Sequence, residues 1–159
     1  MTEKRDNYQI QLMQAKKRFL TYDQQELTHR CRLRFDDTYF YFTFLAEPHR
    51  INRQDGNMER FTLGKWTDAN TFEEVLTVLD WLCDSRADRF ATGRWINVVS
   101  QGPGFHQNLQ EGPDRYAELF SGSPEQFENA CLSLGGQPIA GPDLGFSMEL
   151  VDGLRIFLQ

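Results

Sequence analysis

Apolar positions along the chain change period several times, and each change marks an element. In residues 6–20, Tyr8, Leu12, Ala15 and Phe19 recur at intervals of four, three and four, which is one stripe of a helix. Lys16, Lys17 and Arg18 fall in its last turn, where cations meet the negative end of the helix dipole. Cys31-Arg32-Leu33-Arg34-Phe35 then alternates with period two, followed by Asp36-Asp37 and by Thr38 to Leu45. A two-residue turn at the aspartates places Leu33 opposite Phe40 and Cys31 opposite Phe42 on a core face. Arg34 then faces Tyr39, and Arg32 faces Tyr41, on the other side. Guanidinium groups over tyrosine rings are worth about 0.5–1 kcal/mol each where exposed. Such a face could also grip an anion or a base. Ala46-Glu47-Pro48 ends the strand. Arg50 to Asn52 and Met58 to Leu63 flank the turn Gln54-Asp55-Gly56-Asn57 and extend the meander by one or two strands.

Thr71-Phe72-Glu73-Glu74 has the spacing of a capping box, with the threonine oxygen and the Glu74 carboxylate each placed to satisfy an orphan amide. It predicts a helix to about Asp84 with Phe72, Val75, Leu76, Leu79 and Cys83 inward, and with Trp81 off that stripe, free to cover a second surface. Arg94 to Val99 reads as a short strand, and a loop rich in Gly and Pro runs from Ser100 to Pro113. Pro113 to Phe120 reads as a short helix. A second is opened by Ser123 as cap, Pro124 in the first position and Gln126 closing the box. Phe127, Ala130, Cys131 and Leu134 form its buried face, and Gly135-Gly136 ends it. Gln137 to Pro142 reads as loop. Leu144 to Val151 and Leu154 to Leu158 read as strands around an Asp152-Gly153 turn. Strands early, helices in the middle and strands late argue for α+β over alternating α/β. The expectation is a single domain over 1–159: a mainly antiparallel sheet, with an N-terminal meander and a C-terminal hairpin, packed with about four helices. The apolar run to the last residue predicts a natural C-terminal continuation, and a bare final strand edge could pair with a second copy as a homodimer.

Composition narrows the class. Of 159 residues, 40 are Leu, Phe, Ile or Val, or 25%, above the roughly 20% below which disorder is expected. Mean hydropathy is −0.58 and no apolar run reaches about 18 residues, which argues against a membrane partner. No basic start leads into an apolar stretch and a cleavage site, so a cytoplasmic location is expected. The net charge of −6 is uneven: residues 1–34 carry eight bases and four acids, so the remainder carries −10. An acidic surface argues against nucleic acid. Three cysteines about 50 residues apart, Cys31, Cys83 and Cys131, give no disulfide framework and fit a reducing compartment as buried hydrophobes.

Candidate chemistry is sparse. The histidines are His29, His49 and His106, and only His29-x-Cys31 forms a close pair, so no metal site is expected. Gly102-Pro103-Gly104-Phe105-His106 is no phosphate loop, lacking the Gly-Lys-Ser/Thr. His106 has the ring chemistry of a general base. Asp143, within Gly141-Pro142-Asp143-Leu144-Gly145, sits at a strand entry, where a turn aspartate commonly bonds its own backbone. No Gly-x-Ser-x-Gly elbow is present, and Glu73, Glu74, Glu125 and Glu128 read as solvated helix acids.

Several segments in order resemble a domain-of-unknown-function family of uncharacterised proteins from anaerobic bacteria and archaea. They are Leu79-Asp80-Trp81-Leu82-Cys83, Thr92-Gly93-Arg94-Trp95-Ile96, Pro124-Glu125-Gln126-Phe127 and Leu134-Gly135-Gly136-Gln137-Pro138, then Asp143, Phe146 to Leu150 and Leu154 to Gln159. The family's last strand runs on into an acidic and aromatic tail that this sequence does not include. Some members are linked to iron–sulfur or corrinoid methyl-transfer proteins, which implies an anaerobic one-carbon or redox setting. This chain has no cysteine cluster for such a centre, and the resemblance names no cofactor.

Two functions follow as expectations. The first is a non-enzymatic binding or interaction module for a protein or small-molecule partner. Its aromatic-rich cleft would lie between sheet and Gly/Pro loop and use Arg94, Trp95, Phe105, His106 and Asp143. Its motive is 21 aromatic residues without a catalytic set. The alternative is an enzyme with Asp143 or His106 as acid/base and Arg94 as anion-binding group, which requires those groups to converge.

Overall fold

A computed structural model of the chain describes residues 2–69, 71–96, 118–141 and 143–159, with side chains from residue 7 onward. The fold is α+β with two antiparallel sheets, a five-stranded meander and a three-stranded sheet. The chain divides into two compact units, Met1–Phe90 and Ala91–Gln159.

The first unit opens with α1 (Thr2–Phe19) and α2 (Gln24–Cys31). Residues 24–31 are helical because Asp23 caps them, its carboxylate accepting from the Gln25 and Glu26 amides at 2.7 and 3.0 Å. Leu27 and Cys31, four apart, both reach the core. Arg32 takes a left-handed φ of 53° and ends the helix, leaving only β1 (Arg34–Phe35) as strand. The alternation at Cys31–Phe35 therefore spans a helix exit, and the expected Cys31–Phe42 and Arg32–Tyr41 pairs do not form.

β2 (Tyr39–Phe44) pairs with β1 as Arg34 opposite Tyr41 and Phe35 opposite Phe40, two residues from the expected register. Asp36 sets that register. Its carboxylate accepts from the amides of Thr38 and Tyr39 and from the Tyr41 hydroxyl at 2.8, 2.7 and 2.6 Å, so the bend centres on Asp37-Thr38. β3 (Glu47–Asn52), β4 (Met58–Thr62) and β5 (Lys65–Asp68) complete the meander. Pro48 does not break β3, because β4 pairs with it only from His49 onward and no ladder bond needs the missing N–H. The β2–β3 turn is made by Leu45 and Ala46 at φ 47° and 63°, the handedness that suits hairpin twist.

α3 (Phe72–Asp84) and α1 pack on one face of this sheet. That face carries Phe40, Phe44, Ile51 and Met58, buried with Phe19, Val75, Val78, Leu79 and Leu82. Phe19 meets Phe40 edge-on at 6.4 Å, and Tyr8 stacks on Phe72 at 4.4 Å. α3 buries Val78 and Leu82 in addition to the expected stripe, while Phe72 and Leu76 are half-buried. Trp81 packs against Phe42 of the sheet at 5.6 Å, and so covers this same face.

In the second unit, residues 94–96 are not strand, and the expected strand residues 97–99, the Gly/Pro loop and most of the helix at 113–120 lie outside the described residues. α4 (Pro124–Ser133) starts at Ser123 and Pro124, although the Ser123 side chain makes no cap bond. Gly135, at φ 73°, ends it. Gly136 tolerates no side chain, since a Cβ would stand 2.6 Å from the Cys131 carbonyl oxygen. β6 (Gln137–Ile139) lies where a loop was expected, paired to β7 (Gly145–Val151), which pairs in turn with β8 (Leu154–Leu158). Asp152 and Gly153, at φ 48° and 80°, turn the hairpin. α4 packs on the sheet face of Phe146 and Met148, with Phe127 edge-on to Phe146 at 5.8 Å. No helix among the described residues is long and apolar enough to cross a membrane.

Candidate functional site

The residues singled out in the second unit divide among three environments. Arg94 is exposed in irregular backbone, its amide donating to Thr92 Oγ1 at 3.3 Å. Trp95 is 58% exposed and leans on Phe157 of β8, ring centroids 5.7 Å apart. Phe157 lies on the sheet face opposite Phe146 and α4, in register with Ser147. It is fixed there by Gly145, where a Cβ would come within 2.8 Å of the ring. Asp143 is exposed and accepts from Gln159 Nε2 at 2.9 Å, a contact across the sheet end rather than the turn bond expected for it. The ion pairs among the described residues do not include Arg94 with Asp143. Phe105 and His106 lie outside the described residues.

Beside Phe157, Arg155 donates to Ser147 Oγ at 2.7 Å, to the Ser147 carbonyl at 3.1 Å and to Gln137 Oε1 at 3.3 Å. Its donors bridge all three strands. Among the described residues the arrangement presents a Trp–Phe pair beside an arginine whose donors are held by its own sheet.

A larger cluster stands on the outer face of the five-stranded meander, away from α1 and α3. β2 turns Tyr39 and Tyr41 to this face, opposite Asn52 and Arg50. β4 and β5 add Glu59, Phe61, Trp66 and Asp68. The Arg50 guanidinium sits 4.0 Å from the Tyr39 ring centroid and 4.4 Å from that of Trp66. Its Nε donates to Glu59 Oε2 at 2.8 Å, and that bond, first among several influences, raises the guanidinium above its ordinary pKa. Tyr41 and Phe61 lie 6.2 and 5.2 Å from Trp66. The four rings are thus held around one arginine whose charge is already met. Alternation in β2 pointed to a tyrosine and arginine face. The arginine in contact is Arg50, three residues into a strand thought to begin there, and spacing gave no sign of Glu59 or Trp66.

On the inner face, His49 is 1% exposed. Its Nδ1 lies 2.9 Å from the Glu47 carbonyl oxygen, which can only accept, so Nδ1 carries a hydrogen. Its Nε2 lies 2.8 Å from Glu74 Oε1. Glu74 therefore belongs to this pair, not to a capping box or to solvent, and Thr71 caps α3 by position only, without a side-chain bond. Phe42 stacks on the ring at 5.7 Å and Phe44 meets its edge at 5.7 Å. The His49 ring is buried, while the Glu74 side chain keeps 12% exposure.

Burial is the largest influence on the thiols of Cys31, Cys83 and Cys131, and raises all three. Among the described residues, no three His, Cys, Asp or Glu side chains gather as a metal set.

With that geometry in hand, comparison with known families gives one match, a model described as a domain of unknown function (DUF3786), over residues 23–158. The chain belongs to this family. The DUF3786 match takes in α2, both sheets, α3 and α4, and so contains the outer aromatic face and the Trp95–Phe157 pair. No curated protein and no solved structure matches the chain.

Proposed function

We propose that this chain is a non-enzymatic binding module whose principal contact surface is the outer face of the meander. The observation that carries this reading is the set of four rings, Tyr39, Tyr41, Phe61 and Trp66, fixed around Arg50 on a face that no helix of its own unit covers. Phe61 is 41% exposed and the other three are half-buried, so the rings present flat, preordered area. Tyr, Trp and Arg are the residues that most often dominate binding energy, and rigid rings lose little entropy on contact. Trp95 with Phe157 is a second contact surface in this proposal, and Arg94 and Asp143 are further exposed groups of the same unit.

The test is capture by the immobilised chain from an extract of its own source, read by quantitative mass spectrometry against a Phe61→Asp variant with an unchanged melting temperature. The expected result is at least about tenfold depletion of the captured partner by Phe61→Asp, the loss of one hot-spot contact of about 1.4 kcal/mol or more. Capture that survives Phe61→Asp and is lost in Trp95→Asp would move the function to the second surface. A metabolite that raises the melting temperature, with Asp143→Asn abolishing the rise, would move the function to a small-molecule site at Asp143, and turnover of that metabolite lost in the same variant would favour the enzymatic alternative.

A further inference from the structure

α1 has two apolar faces, and only one is used by the core. Leu12, Ala15 and Phe19 pack inward, whereas Ile10, Met13 and Leu20 stand on the far side at 45, 64 and 42% exposure. With Lys17 they recur at three, four and three residues, the seam spacing of a helix that pairs with another helix. The Leu20 amide bonds to the Lys16 carbonyl at 3.0 Å, so the helical turn continues through the last seam position. Half-buried Leu12, with Met13, Lys16, Lys17, Leu20 and Asp55 of the β3–β4 turn, lines a groove of about 490 Å³ at the border between the two faces.

Charge identifies what fits. Among the described residues, Lys16 bonds to the neutral Asn57 Oδ1, at 2.6 Å, and neither Lys16 nor Lys17 has an ion-pair partner. The Asp55 carboxylate accepts from the Asn57 amide and side-chain nitrogen at 2.8 Å each and makes no ion pair among the described residues. Two ammonium groups therefore border the groove against this single carboxylate, an excess of positive charge. Pairing with α1 of a second copy does not supply further carboxylates: antiparallel pairing that matches Ile10 with Leu20 sets Lys17 against Met13, and parallel pairing sets lysine against lysine. An anionic lipid surface selects a broad apolar face, whereas here a lysine sits within a narrow one.

We propose that this side of α1 docks an acidic amphipathic helix of a partner protein, with apolar side chains against Ile10, Met13 and Leu20 and carboxylates toward Lys16 and Lys17. The chain's net −6 does not oppose it, because charges more than about 8 Å away are screened at physiological salt. This surface is separate from the outer sheet face, since α1 packs on the inner one.

The probe is a labelled 15-residue helical peptide with leucine at seam spacing and glutamate on its flanks, together with its counterpart carrying lysine for every glutamate, titrated by fluorescence anisotropy. The full chain is expected to bind the glutamate peptide at least about tenfold more tightly than the lysine peptide. Lys17→Glu should reverse that preference and Met13→Glu should abolish binding, both with unchanged melting temperature. The proposal is overturned if the glutamate peptide does not bind, if both peptides bind alike, or if Met13→Glu leaves binding intact. It is also overturned if sedimentation shows a wild-type dimer that Met13→Glu dissolves, or if phosphatidylserine vesicles bind and displace the peptide.

Discussion

Glu74 illustrates how a side chain's role depends on what stands three elements away. Its spacing from Thr71 suits a helix cap, yet its carboxylate holds the buried His49 ring, whose other nitrogen is committed to the Glu47 carbonyl. Removing it leaves a buried ring nitrogen without a partner, so Glu74→Ala should cost about 1–3 kcal/mol in urea denaturation. Glu74→Gln should cost clearly less, because its amide can donate to Nε2 of a neutral ring. No loss in Glu74→Ala would mean that the bond contributes nothing, and equal losses in the two variants would mean that the amide does not replace the carboxylate. Ala46 carries a different strain, a φ of 63° that an L side chain rarely adopts. Ala46→Gly should therefore raise stability by about 0.5–1 kcal/mol, and a decrease would show that the turn relaxes in solution. The three thiols, pushed up by burial, should react with a thiol reagent only as the chain unfolds; rapid modification of native protein would contradict that burial.

Among the elements, those defined by local signals were legible in the sequence. The stripes of α1, α3 and α4, the Asp152-Gly153 hairpin and the antiparallel meander all follow from spacing and turn chemistry. What was not legible depends on two or more residues acting together. Cys31–Phe35 alternates like a strand, but the Asp23 cap and the left-handed Arg32 make its start a helix exit. The register of β1 with β2 follows from three bonds to one carboxylate. Those bonds, first the Tyr41 hydroxyl and then the Tyr39 and Thr38 amides, hold the Asp36 carboxyl below its ordinary value of 3.8. A depressed folded pKa contributes stability that is present above the unfolded value and is lost as pH falls through the folded one. Asp36→Asn should therefore flatten the fall of melting temperature between about pH 5 and pH 2. An unaltered slope would show that Asp36 does not set the turn.

For the molecule as a whole, the candidate site was only partly legible. Sequence reading proposed Trp95 and Asp143 but gave no sign of Phe157, which lies 62 residues beyond Trp95 and meets it from β8. It anticipated rings over arginine on the meander, but the partners of Arg50 come from three strands whose register local pattern does not encode. The proposal of a binding module rests on that outer face. The most direct measurement places a photo-activatable crosslinking residue at position 61, on the face, and in a separate chain at position 90, an 81% exposed phenylalanine at the end of the same unit. After illumination in source extract, a single discrete adduct from position 61 and none from position 90 is the predicted result. Adducts of the same mass and yield from both positions, or none from position 61, would contradict it.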